Sequence, residues 1–347
     1  MKYKGIYNIF EQSLVKTFLF DKNSKRVSFD DFLKLSEVKK MKFDLSDEIK
    51  NKIEKIAEHI YFYRKNNKPV IFFTGAHMIK NGLGLILINL IEKNIVTLVA
   101  GNCATTIHDF ELALLGKTGE NVSESLSLGK FGMEAEFGIM NDAISVGDKY
   151  GLGFGETLGK MICEKSYYNK IKDRSDKDIF SKEFKYPKAS VLGACYREKV
   201  PFTAHVSIGT DVIDQLPNFD GCSKGRCSAR DFLIFVNEVT NLNKGGVFLN
   251  VGSAVMGPEV FLKAVSIASN TGMSPNGLIT ANFDLRKECP SSFKKIDESN
   301  PYYYFRDQKS VVSRIPDVFE GESFYVEGNI KQTVPLLYLN LMKVFSY

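Results

Sequence analysis

Residues 70–116 read VIFFTGAHMIKNGLGLILINLIEKNIVTLVAGNCATTIHDFELALLG, and this pattern decides the fold. The first run has almost no apolar–polar alternation and stops on Thr74-Gly75-Ala76-His77. A strand without alternation is buried on both faces, as in a parallel sheet. GLILINLIEKN then has helical spacing. IVTLVAG is a second apolar run, and it stops on Gly101-Asn102-Cys103-Ala104-Thr105-Thr106. Strand, helix, strand is one right-handed βαβ unit.

The same alternation extends outward in both directions. Ser46 is a good N-cap for a helix over 46–66, with Ile53, Ile56, Ala57, Ile60 and Tyr61 on one face. Helices are expected in IHDFELALLG, GMEAEFGIMNDAISVG, ETLGKMICEKSYY, SVLGACYREKV, RDFLIFVNEVTNL, PEVFLKAVSIASNTG and VPLLYLNLMKVF. Strands are expected in PFTAHVSIGTD, GGVFLNVGS, GLITANFDL and SFYVEGN. The expected fold is therefore α/β: a doubly wound, mainly parallel sheet with helices on both faces. Residues 1–45 read as an N-terminal arm and 46–347 as a single α/β domain. Three further stretches read as surface or loop: the charged segment 168–190, the basic GCSKGRCSAR between Asp220 and Asp231, and a long loop over 293–317.

A chain of 347 residues, 44% of them hydrophobic, can bury a large core. Its net charge of +5, with both signs interspersed, does not point to nucleic acid. No apolar run has the length of a membrane span, and no signal-peptide pattern follows Met1. Six irregularly spaced cysteines suggest reduced thiols, no metal site and a cytoplasmic location.

All six strands end on small or polar residues. In an open parallel sheet these ends share one edge, and ligands bind in the crevice there. Tight βα turns also favour Gly, Asn, Ser and Thr for local reasons. Six such ends in one chain favour a nucleotide-like ligand. The usual dinucleotide fingerprint is absent: Thr74 to Ile79 is not G-x-G-x-x-G, and no acid ends the second strand. His205 reads either as a buried, satisfied histidine or as a general base. His77, at a strand end, is a candidate ligand contact, and His108 could face the crevice. Cys103 reads as a small residue of a crevice loop. Asp109 reads as an acid that favours the start of its own helix.

FFTGAHMIKNGLGLILINLIEKNIVTLVAGNCATTIHDFELAL, LSLGKFGMEAEFGIMNDA, SVLGACYREKVPFTAHVSIGTDVI and GGVFLNVGSAVMGPEVFLKAVSIASNTG together resemble the deoxyhypusine synthase family. The likeness runs over roughly residues 50–345, in pattern more than identity. It implies a Rossmann-like NAD-binding fold. It also implies hydride removal from spermidine, and transfer of an aminobutyl group through an enzyme-lysine imine. A homotetramer with sites between paired subunits is implied too. Carried over by position, Thr74, Gly75, Ala76, Asn102, Cys103, Ala104, Thr105, Asp211, Gly252 and Ser253 would line the NAD crevice. His205, His77 and Asp211 would be the catalytic candidates, and Asp284 or Glu327 to Asn329 would approach the far ribose. Three features depart from the family. Ser313-Arg314-Ile315 stands in place of its Trp-Gly-Lys, Gly257-Pro258 in place of its His-His pair, and the chain has no tryptophan. Arginine stays protonated and forms no imine, and Lys309 is out of register. The expectation is an NAD-dependent amine- or polyamine-modifying transferase with an unknown acceptor, in a homo-oligomer. The alternative is a non-catalytic ligand-binding protein that kept the fold.

Overall fold

The computed structural model describes residues 4–20, 27–172, 183–289 and 296–347. Parts of the arm (21–26), of the charged segment (173–182) and of the expected long loop (293–295) lie outside the described residues.

Six strands form one sheet: β1 (Val70–Thr74), β2 (Leu98–Asn102), β3 (Phe202–His205), β4 (Val247–Val251), β5 (Ile279–Asp284) and β6 (Glu322–Glu327). Every neighbouring pair is parallel. The spatial order is β3-β2-β1-β4-β5-β6, the doubly wound dinucleotide-fold order. The chain first builds outward from β1 on one side and then returns to build on the other. The switch point therefore lies between the carboxyl ends of β1 and β4.

The helices include α1 (Asp47–Lys65), α2 (Gly84–Glu92), α3 (Cys103–Leu115), α4 (Phe137–Lys149), α5 (Phe154–Cys163), α6 (Val191–Glu198), α7 (Gly221–Thr240), α8 (Met256–Asn270) and α9 (Ile330–Val344). As the sequence suggests, Ser46 caps α1: its Oγ accepts the Ile49 amide at 3.3 Å. Successive strand residues point to opposite faces. Val70, Phe72, Val99 and Leu249 pack with Ile53 of α1, Leu87 of α2 and Leu337 of α9. Ile71, Phe73, Leu98 and Phe248 pack with Phe235 of α7 and Phe261 of α8. The Phe248 and Phe261 rings stack with centroids 3.7 Å apart.

Two expectations are corrected. GCSKGRCSAR is not an exposed loop but the first half of α7. Asp220 caps it by accepting the Cys222 amide at 3.1 Å, and Ser223, Lys224, Cys227 and Asp231 form its buried stripe. Nor is 293–317 one long loop. It holds a 3-10 turn (Pro301–Tyr304), a π-helical turn (Gln308–Arg314) and a short helix (Ile315–Val318). Thr280 of β5 donates its hydroxyl to the Val311 carbonyl at 2.7 Å, tying the π turn to the sheet.

The described residues of the N-terminal segment add no strand to the large sheet. Val27–Ser28 pairs antiparallel with Lys117–Thr118. The Phe18 amide donates to the Met133 carbonyl, and the Phe20 amide to the Glu136 carboxylate.

Candidate functional site

At the switch point the backbones of β1 and β4 approach closely. The Gly75 amide donates to the Val251 carbonyl at 3.1 Å, and the Gly252 amide to the Phe283 carbonyl at 3.0 Å. A Cβ on Gly75 would lie 2.3 Å from the Gly252 carbonyl oxygen. Gly252 has φ +63°, and the space beside its Cα is open. The floor of the switch point is thus bare backbone. Gly75→Ala should cost about 1–3 kcal/mol by overpacking. A denaturant midpoint equal to that of the parent would contradict this contact.

Several candidate residues have local duties. Thr74 is fully buried, and its hydroxyl donates to the Gly75 carbonyl. Asn102 caps α3: its Oδ1 accepts the Thr105 amide at 3.0 Å and the Thr105 hydroxyl at 2.9 Å. Ser253 Oγ accepts the Gly257 amide at 2.9 Å at the start of α8. Cys103 is the first residue of α3 and not part of a loop; its thiol is completely buried, and burial raises its pKa well above the ordinary value. A thiol in that state is no nucleophile. Asp109 does not serve its own helix. Its carboxylate accepts the Ser190 hydroxyl and the Val191 and Leu192 amides, at 2.5, 2.8 and 3.1 Å, and so caps α6. Burial, against those bonds, lifts its pKa to about 6.

Beneath the floor runs a chain of buried polar side chains. Asn250 Nδ2 donates to the Ser253 carbonyl at 2.8 Å and to Asn282 Oδ1 at 2.6 Å. Asn282 Nδ2 donates to Asp307 at 2.9 Å, and Arg286 bonds both Asp307 (2.7 Å) and Asp284 (2.9 Å). Asp284 is therefore engaged by an arginine.

Of the three catalytic candidates, Asp211 lines a cavity that His77 and His205 do not. His205 faces α7, boxed by Phe73, Phe232 and Phe235, with Nε2 3.1 Å from the Thr203 hydroxyl. Burial drops its pKa to about 3, so it is neutral at any ordinary pH. His77 is exposed, at the start of the short helix His77–Lys80 that follows β1. Partial burial, then the charges of Lys80 and His108, lower its pKa. Asp211, on the loop after β3, lines a cavity of about 210 Å³.

That cavity opens beside Ala104, at the amino end of α3. Its wall carries three carboxylates (Glu111, Glu120, Asp211), one ammonium (Lys80), the His108 ring and the phenyl rings of Phe131 and Phe137. Asp211 is held from behind by Lys224 of α7, whose ammonium lies 2.7 Å away and also bonds Asp214. Burial alone would lower the Lys224 pKa; the surrounding acidic groups outweigh it and raise the value. Sequence reasoning missed Lys224, Glu111 and Glu120. The stripe Lys224-Cys227-Asp231 behind the N-cap Asp220 was a usable signal for the first. Among the described residues, no group of three or more His, Cys, Asp or Glu side chains could hold a metal ion, and no helix is long and apolar enough to cross a membrane.

No protein-family model matches the chain, and no curated protein matches it in sequence. Similar solved structures include ArgZ, an arginine dihydrolase from the ornithine-ammonia cycle in cyanobacteria, at 16% identity and TM-score 0.45, over 84% of this chain and 32% of that one. AgrE in ternary complex with ornithine and NAD+ is similar at 17% identity and TM-score 0.46, over 88% of this chain and 35% of that one. A conserved putative LOR/SDH protein from Methanococcus maripaludis S2 is similar at 14% identity and TM-score 0.46, over 88% and 74%. The chain spans about a third of the length of ArgZ and AgrE.

Proposed function

We propose that the protein is a deoxyhypusine synthase-like, NAD-dependent enzyme that acts on an alkyl amine or polyamine and passes an aminoalkyl group to an acceptor. One observation carries this reading: a backbone-only floor at the switch point of a dinucleotide-order sheet, beside a cavity rich in carboxylates and phenyl rings. Gly75, Ala76 and Gly252 would let a dinucleotide approach the floor, with Ala104 at the amino end of α3 nearby. When bound, the nicotinamide would accept hydride. The chain's own side chains would do the rest. Asp211 and Glu120 would hold an ammonium group, while Phe131 and Phe137 would pack its methylenes and favour the cation through their ring faces. By the family resemblance, the working unit would be a homodimer or homotetramer.

Lysine-imine chemistry is not expected. Arg314 lies in a groove against Leu262 and Ser266 of α8, away from the cavity. Lys309 is buried, with Nζ 3.0 Å from the centre of the Tyr303 ring. Borohydride added during turnover should therefore trap no adduct on the protein. A substrate-derived mass on Lys309 would overturn that expectation.

The first test is calorimetric titration of NAD, with and without spermidine. Micromolar binding supports the reading. No binding by a folded sample free of carried-over ligand removes the cofactor. The neutral, boxed His205 and the ion-paired Asp211 favour a second reading, a ligand-binding protein without catalysis. NAD binding with no NADH formed across a panel of amines would establish it.

A further inference from the structure

We propose that His108 is the proton acceptor of the 210 Å³ cavity, held in a single tautomer by a Thr118–Glu111 relay. Its substrate, an alkylammonium, rests on the function proposed above.

The hydrogen positions follow from counting. Thr118 is fully buried, and its hydroxyl has one proton. That proton goes to Glu111 Oε2, a buried carboxylate that can only accept. The Thr118 oxygen therefore offers lone pairs to His108 Nδ1, 2.6 Å away, and Glu111 Oε2 itself lies 3.3 Å from the same nitrogen. Nδ1 must supply the hydrogen. In the neutral ring Nε2 then keeps its lone pair, and among the described residues it has no hydrogen-bond partner. The ring lines the cavity wall shared with Glu120 and Asp211.

Chain topology explains the placement. His108 and Glu111 lie one turn apart on α3, which starts at the crevice edge. Thr118 is fixed by pairing with Val27 of the N-terminal segment. The other groups near the ring are His77 and Lys80 from the turn after β1, Glu120 beyond Thr118, and Asp211 from the loop after β3.

The step balances simply. One N–H bond of a bound alkylammonium breaks, its electron pair stays on the amine, and the proton bonds to Nε2. The imidazolium so formed is stabilised by Glu111 through Thr118, as a carboxylate orients and supports a histidine elsewhere. The neutral amine is the form whose neighbouring carbon can lose hydride. Solvent at the cavity mouth later takes the proton.

The test is nitrogen NMR of ¹⁵N-histidine-labelled full-length protein, with signals of His59, His77, His108 and His205 assigned by single His→Gln variants. His108 should carry its proton on Nδ1. Thr118→Ser should keep that tautomer, and Thr118→Val combined with Glu111→Leu, which removes both acceptors facing Nδ1, should lose it. A proton on Nε2 in the parent, or a spectrum of the Thr118→Val/Glu111→Leu variant identical to the parent, overturns the proposal. In turnover, His108→Gln should lower kcat by about 100-fold or more at unchanged amine affinity, and free imidazole should restore part of the rate of His108→Ala. An unchanged kcat in His108→Gln also overturns it. No amine oxidation by a parent protein with the Nδ1–H tautomer refutes the proposed oxidation while upholding the relay.

Discussion

Replacing Lys224 with methionine is expected to cost about 3–5 kcal/mol, the usual loss when one partner of a buried ion pair is removed. The methylene stem is nearly conserved, so packing hardly changes. The charge is what goes. Asp211 and Asp214 would then face each other with side chains only 12% and 7% exposed and no cation between them. The loop after β3 should loosen as well, because those carboxylates also accept its own amides, Ser207 to Asp211 and Gly209 to Asp214. The urea midpoint should fall, and spermidine should no longer bind. A triple variant, with Asp211→Asn and Asp214→Asn added, should recover most of the stability but not the amine site. A Lys224→Met midpoint within about 0.5 kcal/mol of the parent would show that the triad does not support the loop.

Asp231 should make stability fall as pH rises. Its Oδ2 accepts the Gly155 amide at 2.9 Å and the Ala204 amide at 2.7 Å, joining α5, β3 and α7. Its other oxygen is buried without a partner. Burial, only partly offset by the amides, raises its pKa from 3.8 to about 7. The folded state therefore holds this proton more tightly than the unfolded chain does. The stability it contributes is complete below about pH 4 and disappears as pH climbs toward 7. Each tenfold change in proton affinity is worth about 1.4 kcal/mol, so the loss is on the order of 4 kcal/mol. Asp109, raised to about 6, adds a smaller slope of the same sign. Asp231→Asn keeps an accepting oxygen and cannot ionise. It should flatten most of the slope and exceed the parent in stability at pH 8. Asp231→Ala leaves two buried amides unpaired and should cost roughly 2–6 kcal/mol at every pH. Urea unfolding at pH 5 and pH 8 checks both, and an Asp231→Asn slope equal to the parent's would refute the assignment.

The centre of the sheet was legible because parallel strands buried on both faces show as apolar runs without alternation, as in VIFFT and IVTLVAG; the other four expected strands, PFTAHVSIGTD, GGVFLNVGS, GLITANFDL and SFYVEGN, overlap β3 to β6. Apolar periodicity failed where the buried face is polar. The first half of α7 turns Lys224 inward onto Asp211 and Asp214 of the preceding loop, so its buried face is charged and it read as a solvated loop. The π turn at Gln308–Arg314 has neither strand nor helix period and is held by Thr280 from outside. The small size of Gly75 and Gly252 was readable, and the structure uses it where the ends of β1 and β4 approach each other. Asp109 was misread because the amides it caps are more than eighty residues away. His205 was left open between two roles, since no local pattern tells a boxed imidazole from a catalytic one. The aromatic neighbours Phe73, Phe232 and Phe235 come from two different elements.

The polar chain Ser253–Asn250–Asn282–Asp307–Arg286 bears on portability. It joins the ends of β4 and β5 to a segment some fifty residues downstream of the floor that Asn250 supports. Grafting Thr74–His77 and Gly252–Ser253 onto another doubly wound scaffold would transplant the surface of the crevice without its foundation. The smallest transferable unit includes Asp307 and the π turn that presents it, so this crevice would move between proteins as a discontinuous module or not at all.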